Sequence, residues 1–158
     1  MSDGRTATRR AVDSGFDHVV LFDLCLDFAR TPRLTLCAAD QCGRGALSDV
    51  VGTLQAAGLA VAQLDDVAGM LGLRTVAMLA NEAADAVLAG IGSAGDIDTA
   101  MRYGTNYPLG PLAWADRLGP AFVAEVLDHL RAHYVDTRYR LSPLLQRKAL
   151  TGATFHAN

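Results

Sequence analysis

The chain has 158 residues, of which 51% are hydrophobic, 20% charged and 6% aromatic, a composition that suits a single globular domain with a real core and excludes a disordered chain. Its net charge of −3 argues against nucleic acid as a partner, because phosphate binding needs an excess of Lys and Arg on one face. Three cysteines in no CxxC spacing point to a reduced, cytoplasmic chain, and no apolar run approaches the ~20 residues of a membrane span.

Residues 1–16 are polar and Arg-rich and read as a flexible leader. Three short apolar runs follow, at 18–24, 33–39 and 59–64, each with the length and the Val/Leu content of a strand. Between the second and third, Leu47, Val50, Val51 and Leu54 recur at helical spacing, and Gly58 is placed for a left-handed C-cap. Strand, helix and strand in about thirty residues make a βαβ unit, which predicts a parallel pair joined by a right-handed crossover. Residues 17–66 therefore read as a partial α/β segment.

From residue 67 the pattern is helical to the end. The stretch 67–90 has no proline and closes on Gly90. Its apolar residues surround the helix: Met70, Leu73, Val76, Ala77, Ala80, Ala84 and Val87 on some faces, Leu71, Met78, Leu79 and Leu88 on others. A helix apolar all round must be covered all round. A partner subunit would do this, which predicts a homodimer through helix 67–90; burial in the chain's own bundle is the other solution. Ser93, with Asp96 three residues on, reads as an N-cap, and Gly104 as the C-cap of the same helix. Pro111, Pro120 and Pro143 each stand at the first position of a further helix. The fold class is thus mainly α: a short βαβ segment, then a bundle of about five helices over 67–158.

Few residues suggest chemistry. His129 and His133 are four apart on one helix, but no third ligand accompanies them, so a solvated face is the better reading. Asp96 and Asp98 form a carboxylate pair on paper, yet Asp96 is better explained as a first-turn acid. Glu82 and Asp85 are like charges on a long helix, solvated or facing a partner. The run Asp40–Leu47 contains Gly43 and Gly45 but not the GxGxxG spacing of a dinucleotide loop. The residues alone yield no catalytic and no metal constellation.

The stretch 74–119 resembles the C-terminal domain of the 3-hydroxyacyl-CoA dehydrogenases. The resemblance rests on Asn81-Glu82-Ala83, Asp96-Ile97-Asp98, Gly104, Pro108 and Gly110-Pro111. Residues 64–74 are similar to the family's junction between nucleotide and helical domains. Residues 138–152 are similar to its closing Tyr-x-Pro-x-Leu region, with Leu141 where a proline is common. The resemblance implies a remnant of a Rossmann-type unit followed by a helical bundle like the C-terminal domain of 6-phosphogluconate dehydrogenase. It also implies a role in dimerisation and in closing over an acyl-CoA, in an enzyme that oxidises 3-hydroxyacyl-CoA to 3-oxoacyl-CoA with NAD during fatty- or aromatic-acid breakdown. The segment 104–112 then becomes the turn that redirects one helix into the next, with Gly104, Pro108, Gly110 and Pro111 as its structural residues.

Two departures stand out. Leu73 occupies the place of the family's substrate-orienting Asn, and the window 22–35, where the catalytic His and its Glu should fall, contains neither. The likeness is greatest to the degenerate second copy of long two-copy members. It therefore implies no catalytic residue in this chain and no NAD bound by it, NAD belonging to the parent enzyme and its Rossmann domain, whether that domain is missing here or separate. Leu73, Asn81 and Asn106 are the candidate substrate-binding positions. The alternative is a free-standing, non-catalytic module that dimerises or binds acyl-CoA.

Overall fold

The computed structural model describes residues 1–156. Where length and composition suggested a single domain, they form two compact units, Met1–Leu73 and the chain from Arg74 onward.

The first unit holds helix α1 (Ala7–Ser14), strand β1 (Val20–Phe22), strand β2 (Arg33–Ala38), helix α2 (Arg44–Ala56) and strand β3 (Ala60–Gln63). The sheet order is β1-β2-β3. As the sequence predicts, β2 and β3 are parallel, in the register Arg33↔Ala60 to Leu36↔Gln63, with α2 as the crossover. β1 is antiparallel to β2, pairing Val20 with Ala38 and Phe22 with Leu36. Gly58 takes a left-handed conformation just beyond α2, the position its spacing suggested.

Residues 1–16 correct the expectation of a flexible leader. Ala7 and Ala11, one helical turn apart, bury the inner face of α1 against Leu21, Cys37, Ala39 and Met70. The two carboxylate oxygens of Asp66 accept the Ala7 and Thr8 amides, each at 2.7 Å. The polar character that suggested mobility is real, but it belongs to the outer face of an amphipathic helix.

Helix α3 (Gly72–Leu88) begins the helical part; α4 (Ala94–Thr105), α5 (Pro111–Leu118), α6 (Pro120–Tyr134) and α7 (Pro143–Thr151) follow, with a 3-10 turn at Thr137–Tyr139. The expected 67–90 helix is shorter than its pattern. Gly69 and Met70 both have positive φ and make a turn, so helical geometry starts only at Gly72. Most of its circumference is covered within the chain: Leu73, Val76, Ala77, Ala80, Ala83 and Ala84 are buried. Met78 and Leu79 are half-buried and Leu88 is exposed. The core of the second unit also takes in Leu112, Trp114 and Ala115 of α5, Val123, Val126, Leu127 and Leu130 of α6, and Leu145 of α7. Pro111, Pro120 and Pro143 start their helices as expected. Among the described residues no helix is long and apolar enough to cross a membrane.

Candidate functional site

The segment that joins α4 to α5 is the most tightly specified part of the second unit. Ser93 and Asp96 open α4 with a reciprocal capping box, the Ser93 hydroxyl accepting the Asp96 amide and the Asp96 carboxylate accepting the Ser93 amide. The Ser93 hydroxyl also donates to the Asp96 carboxylate at 2.6 Å, and that bond, with the one from the Ser93 amide, holds the Asp96 carboxyl below the ordinary carboxylate range. At the other end the expectation for Gly104 fails. The helix runs through Gly104 to Thr105, and Asn106 takes the left-handed C-cap at φ 57° and ψ 36°. Asparagine tolerates that conformation better than other side chains, because its short polar group bonds locally. Gly110 is the N-cap of α5 and has no side chain with which to cap it.

Asp98 supplies the missing cap. Its carboxylate, buried on α4, accepts the Leu112 and Ala113 amides at 2.8 Å each. A Cβ on Gly110 would lie inside the Asp98 side chain, so glycine is needed there for close approach. Asp98 also faces His156: the imidazole stands between two carboxylates, Nε2 at 3.3 Å from Asp98 and Nδ1 at 2.8 Å from Asp116. Asp116 accepts the backbone amides of Phe155 and His156 as well, at 2.7 and 3.0 Å. The C-terminal segment is therefore tied to both α4 and α5. Neither Asp116 nor His156 carries a local sequence signal. The only clue was a helix opening on Gly-Pro with no capping side chain of its own.

The three candidate substrate positions part company. Leu73 is fully buried, and its amide donates to Asp23 at 2.8 Å. Asn81 is fully buried too, with both ends of its amide engaged: Nδ2 donates to the Arg140 carbonyl at 2.9 Å and Oδ1 accepts the Ser142 amide at 2.8 Å. It clamps the segment leading into α7, and neither residue offers a polar group to a ligand in this arrangement. Asn106 alone lies at the surface.

On the same unit Arg74 sits over the stacked rings of Tyr134 and Tyr139, 4.8 and 5.5 Å from their centroids, and donates to the Tyr134 hydroxyl at 3.2 Å. Beyond α6 an open groove is lined by Arg131, Val135, Asp136, Thr137 and Arg140. Its charges are matched: Arg131 pairs with Asp128 and Arg140 with Asp85, while Asp136 pairs with nearby Arg138. The His129/His133 pair lies on α6, where the His133 ring meets Tyr134 edge-on at 4.7 Å.

In the first unit the loop between β1 and β2 runs from residue 23 to 32. Its carboxylate at Asp23 is buried and accepts the Leu71, Gly72 and Leu73 amides at 3.1, 2.6 and 2.8 Å, as well as that of Leu24. It thereby caps the start of α3. At the β2–α2 turn, Gly43 donates its amide to His18 Nδ1 at 3.2 Å.

Residues 69–156 match the family described as the 3-hydroxyacyl-CoA dehydrogenase C-terminal domain. Residues 1–67 match the 3-hydroxybutyryl-CoA dehydrogenase reduced Rossmann-fold domain. The chain is 52% identical over 97 residues to a 3-hydroxyadipyl-CoA dehydrogenase of Escherichia coli, covering 61% of this chain and 20% of that protein. A probable 3-hydroxybutyryl-CoA dehydrogenase of Bacillus subtilis is 31% identical over 104 residues, covering 66% of this chain and 36% of that one. A solved 3-hydroxybutyryl-CoA dehydrogenase from Escherichia coli superposes with a TM-score of 0.88 at 40% identity, covering 96% of this chain and 31% of that structure. The chain thus spans between a fifth and about a third of the length of these relatives.

Proposed function

The chain belongs to the 3-hydroxyacyl-CoA dehydrogenase family, and we propose that within it this chain supplies dimerisation and part of the acyl-CoA cleft, not hydride transfer. The observation that carries the reading is the commitment of Asp23. Removing a hydride from the 3-hydroxyl carbon requires a base for the hydroxyl proton. The β1–β2 loop, where the resemblance places that base, has no His or Glu, and its buried carboxylate is already held by backbone amides. NAD is assigned to the parent enzyme. The β2–α2 turn does not fit a pyrophosphate, because the imidazole of His18 already occupies the Gly43 amide. Asn106, exposed on the turn between α4 and α5, is the remaining substrate-facing candidate. The homodimer contact is assigned to α3 around half-buried Met78, and the three unbonded cysteines suit a reduced cytoplasm.

The purified chain, given NADH and acetoacetyl-CoA, is expected to show no loss of NADH absorbance; measurable turnover overturns the reading. Calorimetric titration with acetoacetyl-CoA alone should show saturable binding, and its absence would remove the cleft from the proposal. Met78→Glu should convert a dimer to a monomer, and an unchanged dimer would displace the contact from α3.

A further inference from the structure

The segment that follows α7 carries an imidazole with a carboxylate at each ring nitrogen. His156 Nδ1 stands 2.8 Å from Asp116 Oδ2 on α5, and Nε2 stands 3.3 Å from Asp98 Oδ2 on α4. Both acids accept backbone amides at every oxygen, an arrangement that favours the ionised form: Leu112 and Ala113 donate to Asp98, Phe155 and His156 to Asp116. A neutral imidazole has one N–H and one lone pair. In either tautomer the lone pair would face a carboxylate oxygen, which is repulsive. Only the imidazolium donates at both nitrogens. Among the described residues no Lys or Arg is paired with Asp98 or Asp116, so His156 is the cation that serves both.

We propose that His156 is a pH-operated latch: charged, it fastens the segment 152–156 to α4 and α5, and neutral, it releases it. Because the closed form needs the proton, closure is complete where the imidazole is charged and is lost as rising pH removes that proton. The His156 side chain is 37% exposed, so its proton exchanges with solvent while the helices stay folded. The other charged group against the segment is Lys148 on α7, whose Nζ stands 5.9 Å from the centroid of the Phe155 ring. It holds the ring face and not the imidazole. Release also has a defined extent. Asp98 keeps the Leu112 and Ala113 amides, so α5 stays capped, whereas the Phe155 and His156 amides leave Asp116. The latch therefore opens as a local unit, with the bundle intact beneath it.

Amide hydrogen exchange of the whole chain, expressed as protection relative to the intrinsic rate at each pH, tests the latch. The Phe155 and His156 amides should lose about five-fold or more in protection between pH 6 and pH 9, while Leu112 and Ala113 keep theirs. Nitrogen-15 NMR of the ring at pH 6 should show both His156 nitrogens carrying protons. His156→Gln cannot take up the charge, so its Phe155 amide should show low protection at both pH values. Should that replacement disturb the fold, the two readings on the parent chain decide the matter alone. Protection of Phe155 and His156 that stays flat from pH 6 to pH 9 overturns the proposal. A bare ring nitrogen in the protected form does so too, as does a pH dependence at Phe155 that survives His156→Gln.

Discussion

Asp98 fills the space beside Gly110 that any side chain there would need, and its carboxylate caps the helix that Gly110 begins. The glycine and the acid are thus one device. The turn between α4 and α5 is specified tightly because a buried carboxylate must reach the next helix through it.

Gly110→Ala should therefore destabilise the chain by about 3 kcal/mol, since the methyl group displaces a buried, hydrogen-bonded acid. Asp98→Ala alone should cost a similar amount through two orphaned amides. The double variant should cost clearly less than the sum, because Asp98→Ala vacates the space that Gly110→Ala needs. Urea unfolding of the four proteins measures the coupling, and strict additivity would refute it.

Asp23 makes an equivalent connection in the first unit, taking the Leu71, Gly72 and Leu73 amides. Asp23→Ala should lose about 2–4 kcal/mol of stability, and Asp23→Asn less, because one acceptor oxygen survives without the charge. Equal stability of Asp23→Asn and the parent would show that the charge contributes nothing to the cap.

The cysteines should differ in reactivity. Burial, reinforced by the neighbouring Asp66 carboxylate, pushes the Cys37 thiol up to about 12. Since only the thiolate reacts, Cys37 should resist a thiol reagent at pH 8 while half-buried Cys25 and Cys42 react. Titration before and after unfolding counts the protected thiol; three fast thiols in the native chain would contradict this placement.

Asp96 should titrate with its cap. Hydrogen bonds from Ser93 lower its folded pKa below the unfolded value. The contribution to stability is therefore complete above the ordinary carboxylate pKa of about 3.9 and is lost as pH falls through the lower, folded value. NMR titration should find Asp96 back near the ordinary range in Ser93→Ala. An unmoved midpoint would mean that the capping box does not set it.

Local rules reached far into this chain because its punctuation is local. Pro111, Pro120 and Pro143 preset φ at helix starts, the Ser93–Asp96 pair spans one turn, and the βαβ pattern lies within thirty residues. The misreadings came where short-range signals competed. Gly104 had the residue type for a C-cap, but Asn106 two positions on could take the left-handed turn as well, and the helix continued to it. Polarity in residues 1–16 masked a face only two alanines wide. The pattern over 67–90 could not register the positive-φ turn at Gly69 and Met70.

The site residues divide along the same line. Asn81 was recognised by its motif, but its work as a clamp on Arg140 and Ser142 joins positions about sixty apart. Asp98, Asp116 and His156 meet only because two helices, α4 and α5, and the C-terminal segment converge. By itself the sequence determined the helical class, the βαβ start and the family resemblance, since propensities, caps and motif spacings act within a few residues. Only the tertiary structure decided which carboxylates are committed to backbone amides. A buried charge must find its donors wherever the fold brings them, and no spacing along the chain records that.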